Sequence, residues 1–239
     1  MIINAESKSF RELNEEVRSC TENEITIEGC MGQRYIGTGL SGKSLRIKGV
    51  PGNAMGAYLD GASIIVDGNV QDAVGDTMND GLICVYGSSG DAAGYAMRGG
   101  AIYVRDNVGY RAGVHMKSYM SRNPVIVIGG CAGSFLGEYQ AGGQILVLNL
   151  NEEKLPAGNF CGTGMYGGKI YIRGENMPEG LSGRIRVSEA SEDDMEIIRE
   201  LVEKYCDFFG SSPEEILNAV FHKLEPDEKN PYRQIYVAE

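Results

Sequence analysis

Between residues 25 and 187 one short pattern recurs: an aliphatic residue, a residue of varied character, then a second aliphatic residue. It appears as Ile25/Ile27, Leu45/Ile47, Ile64/Val66, Ile83/Val85, Ile102/Val104, Ile126/Ile128, Ile145/Val147, Ile170/Ile172 and Ile185/Val187. The first members stand 20, 19, 19, 19, 24, 19, 25 and 15 residues apart, and 17 of the 18 side chains are β-branched. Alternation with β-branching predicts strands that bury one face. A second column precedes the strands by five residues, as Leu40, Leu59, Met78, Met97, Gln140 and Met165, and by four as Leu181. Met116 joins it, with five extra residues within Lys117 to Pro124 before Ile126. Between strand and column runs a glycine frame, complete in Gly49/Gly52/Gly56/Gly61, Gly87/Gly90/Gly94/Gly99 and Gly130/Gly133/Gly137/Gly142.

A unit of this length has too little apolar surface to fold alone, so neighbouring units must stack and share one core. Strands with the same inward phase then pair in parallel, and the rest of each unit carries the chain back without a helix. Glycine at repeated corners permits left-handed backbone and close approach. The predicted fold is mainly β: a single-stranded right-handed parallel β-helix of about eight coils with short flanking α-helices. Ile/Val and Met/Leu ladders fill it.

The flanks read as helices. Ser9-Phe10-Arg11-Glu12 is a capping box, with Phe10, Leu13 and Val17 on one face behind it. Ser191-Glu192-Asp193-Asp194 opens a stretch with Met195, Ile198, Leu201, Val202, Tyr205 and Phe209 at helical spacing, ending at Gly210. Ser212-Pro213-Glu214-Glu215 begins a second helix, and Leu224 to Glu239 reads as an extended arm. The predicted domains are therefore an amphipathic helix over 1–23, the β-helix over 24–188 and acidic helices with an arm over 189–239.

Charge sharpens that division. The net charge is −11, and residues 189–239 hold 14 acidic against 5 basic side chains, leaving the rest close to neutral. Such a balance argues against nucleic acid, which needs a concentrated Lys/Arg surface. No run approaches the ~18–20 apolar residues that span a bilayer, and the start lacks a basic segment followed by an apolar one, so a cytoplasmic protein off the membrane is expected. The six cysteines include no C-x-x-C pair and read as reduced, buried side chains.

Several motifs imitate chemistry. Gly37-Thr38-Gly39-Leu40-Ser41-Gly42-Lys43-Ser44 matches G-x-x-x-x-G-K-[ST], whose phosphate cradle requires a helix to follow. Here Leu45-Arg46-Ile47 follows, a strand in phase with eight others, so Lys43 belongs to a repeated corner. Tyr110, Arg111, His115 and Lys117 share one corner, a candidate ligand site that lacks an adjacent nucleophile or carboxylate. His222, before Lys223, reads as a charge at a helix end. No residue is assigned as catalytic, cofactor-binding or metal-ligating. The residues between the aliphatic pairs should point outward, and six consecutive coils place Ile65, Cys84, Tyr103, Val127, Leu146 and Tyr171 there. An apolar strip of that extent is usually covered, by the terminal helices or by another subunit. Ile65, Tyr103, Val127, Leu146 and Tyr171 are therefore candidate interface residues.

Gly52 to Gly61, Gly94 to Gly100, Val108 to Lys117, Ile128 to Tyr139 and Gly162 to Met165, with Phe221-His222-Lys223-Leu224 and Pro231-Tyr232, give the chain a close resemblance to the GXGXG β-helix domain of glutamate synthase large subunits, in its stand-alone form. Gln140 departs from it, where Met is expected. The resemblance implies a scaffold subunit, not catalytic alone, bracing glutaminase-type and FMN/iron–sulfur subunits that make glutamate from glutamine and 2-oxoglutarate. FMN and clusters would then sit in the partners, with none in this chain. The same family resembles a formylmethanofuran dehydrogenase subunit, the alternative assembly. A stand-alone binder using the His115/Arg111 corner is a further alternative, and self-association is left open.

Overall fold

The computed structural model describes residues 1–227 and opens on a strand absent from the sequence expectation, β1 (Ile2–Asn4), followed by helix α1 (Phe10–Ser19). Then come β2 (Glu24–Met31), β3 (Ser44–Val50), β4 (Asp60–Asp67), β5 (Asp80–Val85), β6 (Ala101–Val104), β7 (Val125–Ile128), β8 (Ala141–Val147), β9 (Gly167–Arg173) and β10 (Ile185–Glu189). The chain ends in α2 (Glu192–Phe209), α3 (Pro213–Leu217) and β11 (Phe221–Pro226). The part of the expected arm at 228–239 lies outside the described residues.

All eleven strands form one mostly parallel sheet in the order β1-β2-β3-β4-β5-β6-β7-β8-β9-β11-β10. The aliphatic pairs set its register: Ile64 lies beside Ile83, Ile102 beside Ile126 and Ile145 beside Ile170, with Val66, Val85, Val104, Ile128, Val147 and Ile172 aligned in parallel. A one-residue slip would turn every inward side chain outward, so the buried phase fixes the pairing. A second line of parallel bridges joins Val70, Ser89, Val108, Ala132 and Ala157 on the return path.

The last strand departs from the expected parallel stack. Ile185/Val187 does not lie on Ile170/Ile172. β11 returns after the helices and inserts between β9 and β10, antiparallel to both, with Leu224 beside Ile170 and Val187. His222 is therefore in a strand opposite Ile172 and Glu189, and not at a helix end. β1 extends the sheet at the other end because Ile3 has the inward phase of Ile27 beside it.

Two apolar cores result. The first fills the space between strands and return paths with the Ile/Val ladders, Met55, Met78, Met97, Met116 and Met165, and is closed by Leu13 and Val17 of α1. The second lies on the outer sheet face, where Ile198, Leu201, Val202 and Tyr205 of α2 pack on Tyr103, Val127, Leu146 and Tyr171. α1 and α2 begin as the caps predict, with Ser9/Glu12 and Ser191/Asp194 boxes, and Gly210 ends α2 in left-handed backbone at φ 77°. No helix among the described residues is long and apolar enough to cross a membrane.

Candidate functional site

The outer strip is not free. Tyr103, Val127, Leu146 and Tyr171 are each 2% exposed or less, sealed beneath α2 of the same chain, so the expectation that they meet a partner is corrected for these four. Ile65 lies outside that cover and is half-buried. The seal is polar as well as apolar. Tyr205 Oη donates to the Arg105 carbonyl at 2.9 Å, and Tyr86 Oη to the Phe208 carbonyl at 2.6 Å. Burial pushes the Tyr103 hydroxyl up to about 12.

The first turn of α2 is bolted down by Asp194, which is 1% exposed. It accepts from Lys169 Nζ at 2.6 Å, from Lys223 Nζ at 2.8 Å and from Tyr171 Oη at 2.9 Å, and it completes the Ser191 capping box. Burial alone would raise this carboxyl. The hydrogen bonds from Lys169, Lys223, Ser191 and Tyr171 outweigh it and hold Asp194 well below the usual carboxylate range. The cysteines are all unpaired, and burial pushes Cys84 and Cys161 up to about 12 and Cys30 to about 11. Among the described residues no group of three or more His, Cys, Asp and Glu is placed to hold a metal ion.

The phosphate-loop imitation resolves as structure. Lys43 donates to the Cys20 carbonyl, and its Nζ lies 3.4 Å from the Glu22 carbonyl and 3.5 Å from that of Val17, so it serves the C-terminal end of α1. The next residues are β3, not a helix. The site nearest the notional loop is an open cleft lined by Lys43, Ser44, Gly61 and Gly81.

The return paths carry the remaining candidates. Each places three alternating residues in left-handed backbone, as Arg111, Gly113 and His115 do at φ 60°, 69° and 56°. Alternating handedness can form an anion-binding nest. Here the N–H groups are spent on neighbouring repeats: Arg111 N and His115 N donate to the Ser134 and Glu138 carbonyls at 2.9 Å, and Gly113 N to that of Ala93 at 2.8 Å. The side chains are thereby turned outward in columns.

Those columns build an aromatic and cationic face. The His115 ring stacks on Tyr139 at 5.2 Å with 11° between planes, and Tyr95 meets it edge-on at 5.8 Å. Tyr139 lies flat against Gly164, where a β-carbon would stand 2.5 Å from the ring. The Arg111 guanidinium sits 4.7 Å above Phe135, whose ring stacks on Phe160 at 5.1 Å, and its Nε lies 3.6 Å from Glu138 Oε2. Of the four predicted corner residues, Arg111 and His115 are thus joined to the next repeat. The Tyr110 side chain is exposed and its backbone N–H bonds Asp91 Oδ1 at 2.8 Å. Lys117 is exposed, with its backbone N–H on the Met97 carbonyl at 2.9 Å. Sequence reasoning missed Tyr95, Phe135, Glu138, Tyr139 and Phe160. Equivalent positions would have found three of them, Phe135, Tyr139 and Phe160: 111, 135 and 160 form one column, and 115, 139 and 164 another.

Known proteins resemble the chain over nearly its whole length. Residues 6–227 match the family model described as GXGXG motif. A protein of Methanocaldococcus jannaschii, uncharacterized protein MJ1350, is 42% identical and aligns over 99% of this chain and 96% of its own length. Among solved structures, a chain from the formyltransferase/hydrolase complex FhcABCD of Methylorubrum extorquens, crystallised with methylofuran, superposes with a TM-score of 0.65 at 20% identity. That match covers 87% of this chain and 75% of the other.

Proposed function

The chain belongs to the GXGXG motif family, and from that membership we propose that it is a non-catalytic structural subunit of a multi-subunit complex in the cytoplasm. In this reading, residues 24–188 wind as a right-handed parallel β-helix of about eight coils. Residues 1–23 form the helical entry and 189–239 the helical cover and arm. The chain would hold no cofactor of its own and would position the subunits that do.

One observation carries the reading: the interior is full. Met55, Met78, Met97 and Met116 and the facing Ile64, Ile83, Ile102 and Ile126 are all 0% exposed, so the repeats spend their apolar residues on each other. A small-molecule enzyme site is ordinarily a cleft of about 300–1,000 Å³ with a few convergent polar groups. The strongest converging polar group is Asp194 with Lys169 and Lys223, and it fastens α2 to β9 and β11. A chain whose repeats pack on one another and whose outer strip is sealed by its own helix suits bracing better than turnover.

Two assemblies fit a brace of this family. The likeness to a chain of FhcABCD favours a formyltransferase/hydrolase-type complex. The segments from Gly52 to Met165 that resemble the glutamate synthase GXGXG domain favour the other, in which FMN and iron–sulfur clusters reside in partner subunits. Isolation of the tagged full chain from its native cells distinguishes them. Companions of formyltransferase and hydrolase type are expected for the first, and glutaminase-like and flavoprotein companions for the second. Substrate turnover by the pure chain, abolished by His115→Ala, would remove the structural reading.

A further inference from the structure

The return-path face around His115 differs from the rest of the molecule in charge as well as in aromatic content. Residues 91–138 hold five basic side chains (Arg98, Arg105, Arg111, Lys117, Arg122) against three acidic, Asp91, Asp106 and Glu138, in a chain of 22 basic and 33 acidic residues. Arg105 is paired with Asp106 and Arg122 with Asp60. Arg98 and Lys117 remain. Each follows the inward methionine of its repeat, and the two repeats are joined there by the Lys117 N–H to Met97 carbonyl bond of 2.9 Å. Both are exposed, and neither has an ion-pair partner among the described residues. Arg111 adds a third cation, its charge only partly offset by Glu138 at 3.6 Å.

The chain itself displays how this face is covered. Tyr35 occupies the left-handed position that Arg111, Phe135 and Phe160 occupy in later repeats, all at φ between 60° and 64°. α1 lies across it: the Phe10 ring sits 5.9 Å from Tyr35, Arg34 stands over Phe10 at 5.5 Å, and Asn14 Nδ2 donates to the Arg34 carbonyl at 2.9 Å. An amphipathic helix therefore already lays an aromatic anchor on the first repeat. The equivalent surface on the later repeats has the same backbone and a stacked aromatic floor, yet Tyr95, Tyr139 and Phe160 are exposed there by 40%, 39% and 48%. An exposed row of stacked aromatic rings suits the apolar side of a helix.

We propose that this face docks an acidic amphipathic helix of another subunit, whose apolar anchor rests on the Phe135/Phe160 stack, at the position Tyr35 holds beneath α1, and whose carboxylates meet Arg98, Arg111 and Lys117. The inference rests on the structural-subunit reading and adds to it the place and the chemistry of contact.

The test is a photo-cross-linking amino acid at position 110, where Tyr110 is 54% exposed, in the tagged full chain expressed in its native cells. Mass spectrometry of the adduct is expected to give a carboxylate-rich, helix-forming peptide of another polypeptide. R98E/K117E should lower its yield at least about tenfold, the scale of two exposed charge pairs. Raising salt from about 0.1 M to about 1 M should do the same, because the screening length falls from about 10 Å to about 3 Å. The same cross-linker at exposed Met31 should be insensitive to both changes. An adduct to a second copy of this chain, to nucleic acid or to a basic segment overturns the inference, as does a yield indifferent to reversal and salt. Companions recovered intact without an adduct at 110 overturn it while leaving the structural-subunit reading in place. No companion at all overturns both.

Discussion

Gly94 and Ile126 touch across the interior: a β-carbon built on the glycine would stand 2.5 Å from Ile126 Cδ1. Gly56 faces Ile83, Gly75 faces Ile102 and Gly113 faces Ile145 in the same way, at 2.6, 2.6 and 2.5 Å. The return path and the sheet are therefore in contact at backbone distance, and the isoleucine row is accommodated only because the opposite row has no side chain. Gly94 is also in left-handed backbone, at φ 68°. Gly94→Ala should cost about 2–4 kcal/mol, combining an overpacked contact with a disfavoured backbone.

Ile126→Val removes the atom that the new methyl group would strike and should itself cost about 1 kcal/mol. The double variant should then be clearly more stable than the sum of the two losses, because adjacent sites couple. Urea unfolding of the four proteins measures this, and strict additivity would show that Gly94 is required only for its backbone.

Much of this was legible in the sequence. The spacing of aliphatic pairs gave strands β2 to β9, their phase and their parallel order, since each inward residue has to find the same neighbour in the next repeat, but not the place of β10. Capping boxes at Ser9 and Ser191 gave the helix starts. What escaped were relationships between distant segments. Nothing local in Phe221-His222-Lys223-Leu224 says that it enters between β9 and β10. Gly129 reads as one more corner glycine, yet a β-carbon there would lie 2.0 Å from Tyr205 Oη, so it marks where α2 docks. At the candidate face the columns of left-handed residues were hidden because Ala73, Ala92, Arg111 and Phe135 share a backbone conformation and no chemistry.

The burial of the outer strip makes a direct prediction. Val127→Asp places an unpaired carboxylate beneath α2, where Val127 is 0% exposed, and should destabilise by about 4 kcal/mol or more. Ile65→Asp, on the half-buried part of the strip that α2 does not reach, should cost about 1 kcal/mol. Thermal unfolding followed by circular dichroism gives both. Equal effects at the two positions would mean that α2 contributes little to the covered face.

Asp194 predicts an acid limit to the attachment of α2. Its folded carboxyl lies below the ordinary value of 3.8, so its stabilisation is complete above that value and is lost as the pH falls through it toward the folded titration. Stability should be level from neutral pH to about pH 5 as far as this group is concerned and fall below about pH 4. Asp194→Asn should remove about 3 kcal/mol at pH 7, because Lys169 and Lys223 lose their shared partner, and should flatten the acid fall. Unfolding curves at a series of pH values decide it; an acid limb as steep in the variant as in the parent protein would assign the loss to other carboxylates.

Lys43 separates a sequence likeness from its mechanism. A phosphate-binding loop needs free N–H groups at the start of a helix, with the lysine directed at the anion. Here the chain continues into β3, Gly42 N donates to the Gly61 carbonyl at 3.4 Å, and the ammonium points at the Val17, Cys20 and Glu22 carbonyls at and just beyond the end of α1. A cation there is stabilising for the same reason that an anion is stabilising at a helix start. Lys43→Ala should therefore lower stability by about 1–2 kcal/mol with no change in behaviour toward nucleotides. Lys43→Arg, which keeps the charge within reach of the same carbonyls, should recover most of it. Melting curves of the parent protein with and without millimolar magnesium ATP complete the comparison. A rise in melting temperature on adding the nucleotide, lost in Lys43→Ala, would show that the motif binds phosphate after all.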